Sequence, residues 1–127
     1  MVQVTRQFLI LDDEESIRQS IAAFMEDEGY NVFQAETSED ALEIVKNNHI
    51  DKAVVDIRLP GVDGNTFMVE AAKINPDMKF VVHTGSADYI APEAVKALGV
   101  TSDCVLIKPA LDLTALVSIL NKDDEIP

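Results

Sequence analysis

Hydrophobic and polar positions form two kinds of pattern along the chain. Short runs of aliphatic and β-branched residues are typical of buried strands, and apolar residues that recur every three or four positions predict amphipathic helices. The predicted strands lie at residues 8–11, 31–34, 52–55, 79–83 and 104–107. The apolar positions of the predicted helices are Ile17, Ile21, Phe24, Met25, Leu42, Val45, Phe67, Met68, Ala71, Ile74, Leu113, Leu116, Val117 and Leu120. Strands and helices therefore alternate along the whole chain.

Two helices carry signals at their ends. Ser16, with Gln19 three residues later, forms a capping-box pattern that predicts the start of the first helix. The preceding acids, Glu14 and Glu15, are interpreted as charges that the positive end of the helix dipole favours. A shorter fourth helix is predicted over residues 92–99, because a proline suits the first helical position and a glycine suits the end.

The alternation of strands and helices predicts an α/β fold. Parallel strands need crossover connections, which helices supply, so the pattern favours a doubly wound five-stranded parallel sheet with helices on both faces. A chain of 127 residues with 47% hydrophobic content suits one domain. We expect that domain to span residues 1–121, and residues 122–127 to form a polar tail or the start of a linker.

The charge of the chain argues against several partners. Lys and Arg total 10 against 23 Asp and Glu, and the formal net charge of −13 would repel nucleic acid and anionic membranes. The sequence lacks both an apolar run of roughly 20 residues and a signal-peptide pattern, so we expect a cytoplasmic protein without membrane contact. The single cysteine, Cys104, is predicted on the fifth strand as a small buried hydrophobe.

Reactive side chains stand at the carboxyl ends of four predicted strands. In open α/β sheets, ligands bind at the edge where these ends meet. Three carboxylates, a hydroxyl and an ammonium should converge there, namely those of Asp12, Asp13, Asp56, Thr84 and Lys108. Carboxylates held close together take up protons or bind a cation, and hard oxygen ligands suit Mg²⁺. With a lysine and a threonine beside them, these groups match the needs of phosphoryl transfer to an Asp nucleophile.

Four motifs carry a family resemblance. They are LILDDEES, VVDIRLPGVDG, VVHTGSA and VLIKPA, in this order along the chain. With them, the chain resembles a CheY-like response-regulator receiver domain of two-component signalling over nearly its whole length. The resemblance implies a flavodoxin-like (βα)5 fold with strand order 2-1-3-4-5. It also implies a signalling module that switches protein contacts and catalyses only its own phosphorylation and dephosphorylation.

The resemblance gives the acids of the first and third strands their roles. Asp56 would accept a phosphoryl group from a phosphohistidine on a sensor histidine kinase or a phosphotransfer protein. Asp13 and Asp56 would bind Mg²⁺ directly. Asp12 would act mostly through water, and the backbone carbonyl of Arg58 would be a further ligand.

The resemblance also gives roles to the last two strands. Lys108 would pair with Asp56 and then with a phosphoryl oxygen, while Thr84 would swing inward to hydrogen-bond the phosphoryl group. The bond between Lys108 and Pro109 is commonly cis in the family. His83 precedes Thr84, and we expect it to point to the other face of the sheet because side chains alternate along a strand.

One position departs from the family pattern. Receivers usually carry Tyr or Phe three residues before the strand-end lysine, where the ring reports phosphorylation; here the residue is Val105. A valine cannot make the same movement. We therefore expect the signal to depend on Thr84 and the loop at residues 85–91, with Tyr89 or Ile90 exposed differently in the two states.

Output partners are only partly constrained. Winged-helix regulators of this family form dimers through basic and acidic residues across the fourth helix, fifth strand and fifth helix, but the fifth helix at residues 111–121 here contains no basic residue. We therefore expect a different dimer or a monomer. Output would pass through an unknown partner protein or through an additional domain.

The sequence also bears on three alternatives to a phosphoacceptor. Phosphohydrolases with an aspartate nucleophile carry a second Asp two residues later, whereas this chain has Arg58 there. A flavin carrier on the same fold would need a phosphate loop rich in Ser, Thr and Gly, and the acids at residues 12–15 would repel the flavin phosphate. A degenerate receiver, acting as a phosphorylation-independent interaction domain, stays open because of Val105.

Overall fold

The computed structural model describes residues 6–108 and 113–121. The predicted cis bond before Pro109 and the predicted tail at residues 122–127 lie outside the described residues. So does the side chain of Leu120, which the sequence assigned to the core.

The described residues form a parallel sheet of five strands in the order β2-β1-β3-β4-β5. This confirms the predicted doubly wound α/β fold and its strand order. The strands are β1 (Gln7–Leu11), β2 (Asn31–Ala35), β3 (Lys52–Val55), β4 (Lys79–Thr84) and β5 (Val105–Ile107).

Five helices connect and follow the strands in the described ranges. They are α1 (Glu15–Asp27), α2 (Ser38–Asn47), α3 (Gly64–Ile74), α4 (Glu93–Lys96) and α5 (Leu113–Asn121). Side chains cap two of them: Thr37 Oγ1 accepts from the Asp40 amide at 3.1 Å, and Asp63 Oδ1 accepts from the Thr66 amide at 2.9 Å. Such caps satisfy amides that the first helical turn leaves unpaired. None of the described helices is both long and apolar enough to span a bilayer.

The sheet separates two hydrophobic clusters, because alternate strand residues point to opposite faces. On one face Leu9, Val55 and Val82 pack with Phe67 of α3. On the other face the cluster is formed by Phe8, Ile10, Val54 and Val81 of the strands with Ile21, Ala22 and Met25 of α1 and Leu116 of α5. Both faces of the central strands are therefore buried, which explains why their sequences are almost continuously apolar.

The start of α1 differs from the prediction. The helix begins at Glu15, and Glu14 occupies the capping position in an extended conformation without a side-chain cap. Ser16 therefore lies inside the first turn, and the predicted capping box with Gln19 is wrong. The Gln19 side chain donates instead to Glu15 Oε1 at 3.1 Å. The physical reason is that the Glu14 amide donates to Asp12 Oδ1 at 2.9 Å, so the turn forms before Ser16.

Predictions about burial and element ends also need correction. Helix α4 is four residues long, because Pro92 caps it rather than starting it and residues 97–99 form a turn that ends at Gly99 with φ +95°. Cys104 is half-buried at the end of a 3-10 turn, and β5 begins one residue later. Ile74 is 41% exposed, since it is the last residue of α3.

Candidate functional site

The carboxyl ends of β1 and β3 place two buried acids side by side. Leu11 and Val55 are paired in the sheet, so the next residue of each strand, Asp12 and Asp56, leaves at the same edge. The Asp56 amide donates to the Leu11 carbonyl at 2.8 Å, which extends the ladder into the site. Only 2% of Asp12 and 4% of Asp56 is exposed, whereas Asp13 is exposed.

The three acids form a candidate cation site. Each of Asp12, Asp13 and Asp56 offers one carboxylate oxygen, and these oxygens lie within 4.8 Å of one another. Hard carboxylate oxygens are the ligands that Mg²⁺ and Ca²⁺ prefer, and a cation would relieve the repulsion between them. The residues present therefore fit a divalent ion, as the sequence predicted.

Lys108 supplies the positive charge of the pocket. Its Nζ lies 3.1 Å from Asp12 Oδ2, 3.2 Å from Glu14 Oε1 and 3.3 Å from Asp56 Oδ2. Burial disfavours the charged ammonium, but hydrogen bonding and attraction from Asp12, with Asp56 and Glu14, outweigh burial and raise the pKa of Lys108. The lysine is therefore charged at neutral pH. We call the side chains of Asp12, Asp13, Asp56 and Lys108 the acidic pocket.

The environment of Asp56 favours its protonated form more than water would. Burial, followed by the charge of Asp12, raises the pKa of Asp56 from its ordinary value, while Lys108 acts in the opposite direction. Added positive charge stabilises the ionised form of a carboxyl group in this setting. The acidic pocket is thus arranged so that a cation increases the ionised fraction of Asp56.

Thr84 lies at the same edge of the sheet, as predicted. It is fully buried at the end of β4, and its backbone carbonyl accepts from the Lys108 amide at 2.7 Å. The Thr84 hydroxyl accepts from the Ser86 amide at 3.2 Å. These two bonds tie Thr84 both to the pocket lysine and to the loop that follows β4.

The Arg58 side chain contacts the loop that follows β4. Its Nη2 donates to Ser86 Oγ at 3.5 Å, and Ser86 Oγ donates to Asp88 Oδ1 at 2.9 Å. The sequence analysis predicted a role for the Arg58 backbone but assigned none to Ser86. A serine two residues after Thr84 is common in turns, so only the fold shows that it faces the Asp56 loop.

Gly64 is a second residue that the sequence analysis missed. A Cβ atom at this position would overlap the Asp56 backbone carbonyl oxygen and would lie 2.8 Å from Val55 Cγ1. The Gly64 amide donates to the Ile57 carbonyl at 3.0 Å. The first residue of α3 therefore packs directly on the backbone of Asp56, and only glycine leaves room for this contact. The pair Asp63-Gly64 after a turn was the signal available in the sequence.

Glu14, interpreted as a helix-dipole acid, occupies the capping position of α1, where the dipole favours negative charge, and its carboxylate also contacts Lys108. Glu15 does lie in the first turn, where the dipole favours negative charge. Two neighbouring acids of the same motif therefore have different surroundings, because only the first faces the end of β5.

His83 is buried without hydrogen bonds on the strand beside the pocket. It is 2% exposed, and within the described ranges neither Nδ1 nor Nε2 has a hydrogen-bond partner. Burial, reinforced by Lys108, lowers the pKa of His83, so the ring is neutral at physiological pH. Its position directly before Thr84 on β4 places the two side chains on opposite faces of the sheet, as expected.

Val105 lies beside a cavity rather than a packed ring. The cavity holds about 400 Å³ and is lined by Val105, Tyr89, Ile90, Ala91, Lys96 and Val100, among others. We call it the α4–β5 cavity. The Tyr89 hydroxyl donates to Asn65 Oδ1 of α3 at 2.6 Å, and burial with the charge of Asp63 raises the pKa of Tyr89. Ile90 beside it is 77% exposed.

Comparisons with known proteins agree with this architecture. A family model described as the response regulator receiver domain matches residues 8–121. Regulatory protein VanR of Enterococcus faecium is 27% identical over 113 residues, which cover 89% of this chain and 48% of VanR. The chain spans less than half of the length of each of the first curated relatives that it matches.

Solved structures share the fold over nearly the whole chain. A CheY-like receiver domain protein from Methanospirillum hungatei JF-1 superimposes with a TM-score of 0.83 at 28% identity, covering 94% of both chains. TrrA of Thermotoga maritima, solved in complex with Mg²⁺ and BeF, has a TM-score of 0.79 at 26% identity and covers 93% of this chain and 98% of TrrA. Because the family model spans about nine-tenths of its residues, this chain belongs to the response regulator receiver domain family of two-component systems.

Proposed function

We propose that this domain is a phosphoacceptor whose nucleophile is Asp56. The observation that carries the proposal is the burial of the Asp56 carboxylate against Lys108 at 3.3 Å, within an oxygen cluster that fits a divalent cation. A buried acid surrounded by two further acids and a lysine has little value for stability alone. It has value where charge must be gathered around a phosphoryl group.

The reaction we propose is transfer from a phosphohistidine. The P–N bond of the donor breaks and its electron pair returns to the imidazole nitrogen, while an oxygen of ionised Asp56 forms the new P–O bond. The donor is a sensor histidine kinase or a phosphotransfer protein, in line with the family. Because its environment raises the pKa of Asp56, we expect transfer to weaken as acid protonates this nucleophile.

We infer that Mg²⁺ is the cofactor. Asp13 and Asp56 would hold it directly, Asp12 mostly through water, and the backbone carbonyl of Arg58 would complete the ligands from the protein. When bound, Mg²⁺ supplies positive charge to the phosphoryl oxygens. The complex of TrrA with Mg²⁺ and BeF supports this choice of ion.

Lys108 and Thr84 would bind the phosphoryl group from the other side. The Lys108 ammonium already lies within hydrogen-bond distance of Asp56, so a short movement would bring it to a phosphoryl oxygen. The Thr84 hydroxyl would donate to another oxygen, and its movement would pull on the Ser86 amide that it now accepts from. This links phosphorylation to the loop after β4.

The test is covalent modification in vitro. Incubating the protein with acetyl phosphate and Mg²⁺ should add the mass of one phosphoryl group, and Asp56→Asn should abolish this gain. Glu15→Gln, a matched change of an exposed acid nearby, should leave the gain intact. A wild-type protein that gains no mass would contradict the proposal and favour a degenerate receiver, and a gain that persists in Asp56→Asn would assign the modification elsewhere.

We further propose that residues 85–91 carry the signal towards a partner protein or a further domain. Tyr89 joins this loop to α3 through Asn65, and Arg58 joins it to the Asp56 loop through Ser86. Beryllofluoride with Mg²⁺ should therefore alter amide hydrogen exchange in this segment more than in β2. Unchanged exchange there, in protein that binds beryllofluoride, would refute this route of signalling.

A further inference from the structure

The ammonium of Lys108 is surrounded by carboxylates before any phosphoryl group arrives. A lysine has three N–H donors, and three carboxylates lie within 3.3 Å of Nζ. A phosphoryl oxygen that accepts from Lys108 must compete with these carboxylates for the ammonium. The identity of the displaced carboxylate therefore affects how strongly Lys108 holds the phosphoryl group.

Glu14 differs from the other two partners in exposure and in role. Its side chain is 56% exposed, against 3% for Asp12 and 5% for Asp56. Water can solvate Glu14 when the contact breaks, whereas a displaced Asp12 would stay buried without its partner. Asp56 itself carries the phosphoryl group in the proposed reaction. Glu14 is thus the partner that Lys108 can release most easily.

We propose that Glu14 is a positioning residue that competes with the phosphoryl group for Lys108 and thereby weakens its retention on Asp56. This inference rests on the proposed function. In the resting domain, Glu14 holds Lys108 towards the start of α1 through the 3.2 Å contact. In the phosphorylated domain, we expect that contact to break or stretch. The free energy lost with it reduces the net free energy with which Lys108 binds the phosphoryl oxygens.

The charge of Glu14 should affect the binding of two ligands in opposite directions, which a general loss of stability would not do. A carboxylate beside the pocket attracts Mg²⁺ and repels an anionic phosphoryl mimic. Replacing it with a neutral group should therefore weaken Mg²⁺ binding and strengthen beryllofluoride binding. A variant that merely loosened the pocket would weaken both ligands.

The experiment compares Glu14→Gln with Glu15→Gln. Glu15 is the matched control, because it is the adjacent acid and its carboxylate contacts Gln19 instead of Lys108. Mg²⁺ alone is titrated by calorimetry, and beryllofluoride is titrated at saturating Mg²⁺. We expect Glu14→Gln to bind beryllofluoride about three- to ten-fold more tightly and Mg²⁺ roughly two-fold more weakly, while Glu15→Gln stays within about two-fold for both.

The outcomes separate this inference from the proposed function. Wild-type protein that fails to bind beryllofluoride in the presence of Mg²⁺ would overturn the proposed function. Wild-type protein that binds it while Glu14→Gln binds equally or less tightly would overturn the role of Glu14 alone. Glu14→Ala repeats the test without any side-chain acceptor, and a gain in beryllofluoride affinity for both Glu14 variants is the result that supports competition.

Discussion

The acidic pocket and the α4–β5 side of the molecule are built on the same sheet with very different packing. At the pocket, Asp56 is held by the 2.8 Å hydrogen bond from its amide to the Leu11 carbonyl, by Lys108 and by the close approach of Gly64. On the α4–β5 side, a helix of four residues and a strand of three enclose a cavity of about 400 Å³ beside Val105. The backbone of Asp56 is held by close contacts, whereas the space beside Val105 has room for a side chain.

Phosphoryl chemistry and signal transmission place different requirements on the packing of a protein. Phosphoryl chemistry needs charges held within a fraction of an ångström, so the pocket is supported by backbone contacts. Transmission of a signal needs an element that can adopt two arrangements, and few packed contacts make such an arrangement accessible. In the proposed function, the α4–β5 side would meet this need without an aromatic ring at position 105.

The largest expected effect contrasts the same substitution at two paired strand positions, one in the packed core and one beside the α4–β5 cavity. Val82→Phe should lower the free energy of unfolding by about 3 kcal/mol, because Val82 is fully buried in β4 and the ring has no space. Val105→Phe should change it by less than about 1 kcal/mol, because the ring can enter the α4–β5 cavity. Urea unfolding measures both. Equal losses in the two variants would mean that the cavity does not accept a ring.

A smaller effect tests the support of Asp56 by α3. Gly64→Ala should lower the free energy of unfolding by about 2 kcal/mol and weaken beryllofluoride binding, because the added Cβ overlaps the Asp56 carbonyl. Gly85→Ala is the stability control, since a Cβ there meets nothing within 4 Å, and it should stay within about 0.5 kcal/mol of wild type. A Gly64→Ala protein as stable as wild type would show that the backbone at the pocket yields more readily than its packing indicates.

The smallest effect concerns His83 and depends on pH. His83→Leu should raise the free energy of unfolding by about 1 kcal/mol near neutral pH, since it removes two buried nitrogens that find no hydrogen-bond partner among residues 6–108 and 113–121. Burial lowers the pKa of His83 in the folded state below the unfolded value of 6.5, so acid protonates the unfolded chain first and stability falls as pH drops through 6.5. The variant lacks this loss, and its advantage should widen on acidification.

Thermal unfolding at about pH 7.5 and about pH 5.5 measures that advantage. The raised pKa of Asp56 acts with the opposite sign, favouring the folded state in acid, but it is common to wild type and variant and cancels in their difference. His49→Gln is the control, because its side chain is 69% exposed. An advantage of His83→Leu that stays constant with pH would mean that the buried ring is not kept neutral by its surroundings.

Much of the fold was predictable because it depends on local pattern. Alternating apolar runs and amphipathic segments predicted the parallel sheet, and strand-end residues predicted that Asp12, Asp13, Asp56, Thr84 and Lys108 meet at one edge. Element ends were less predictable. The predicted Ser16 capping box is wrong because the Glu14 amide donates to the Asp12 carboxylate two residues earlier, and the turn forms before Ser16.

Other features depend on contacts between distant parts of the chain. Glu14 and Lys108 are 94 residues apart, and Arg58 and Ser86 are 28 apart, so no local pattern distinguishes Glu14 from Glu15 or marks Ser86. The same holds for the steric demand at Gly64, which arises from the Asp56 backbone lying against the first turn of α3.

The sequence by itself therefore determined the architecture and the chemical groups of the site. Period and composition are properties of neighbouring residues, and the carboxyl ends of parallel strands meet at one edge whatever the loops do. The tertiary structure alone decided that Glu14 contacts Lys108 and that a cavity lies beside Val105. It also decided that the buried ring of His83 has no hydrogen-bond partner in the described part of the chain. Those outcomes depend on distances of a few ångströms between separate elements, which the order of residues along the chain does not specify.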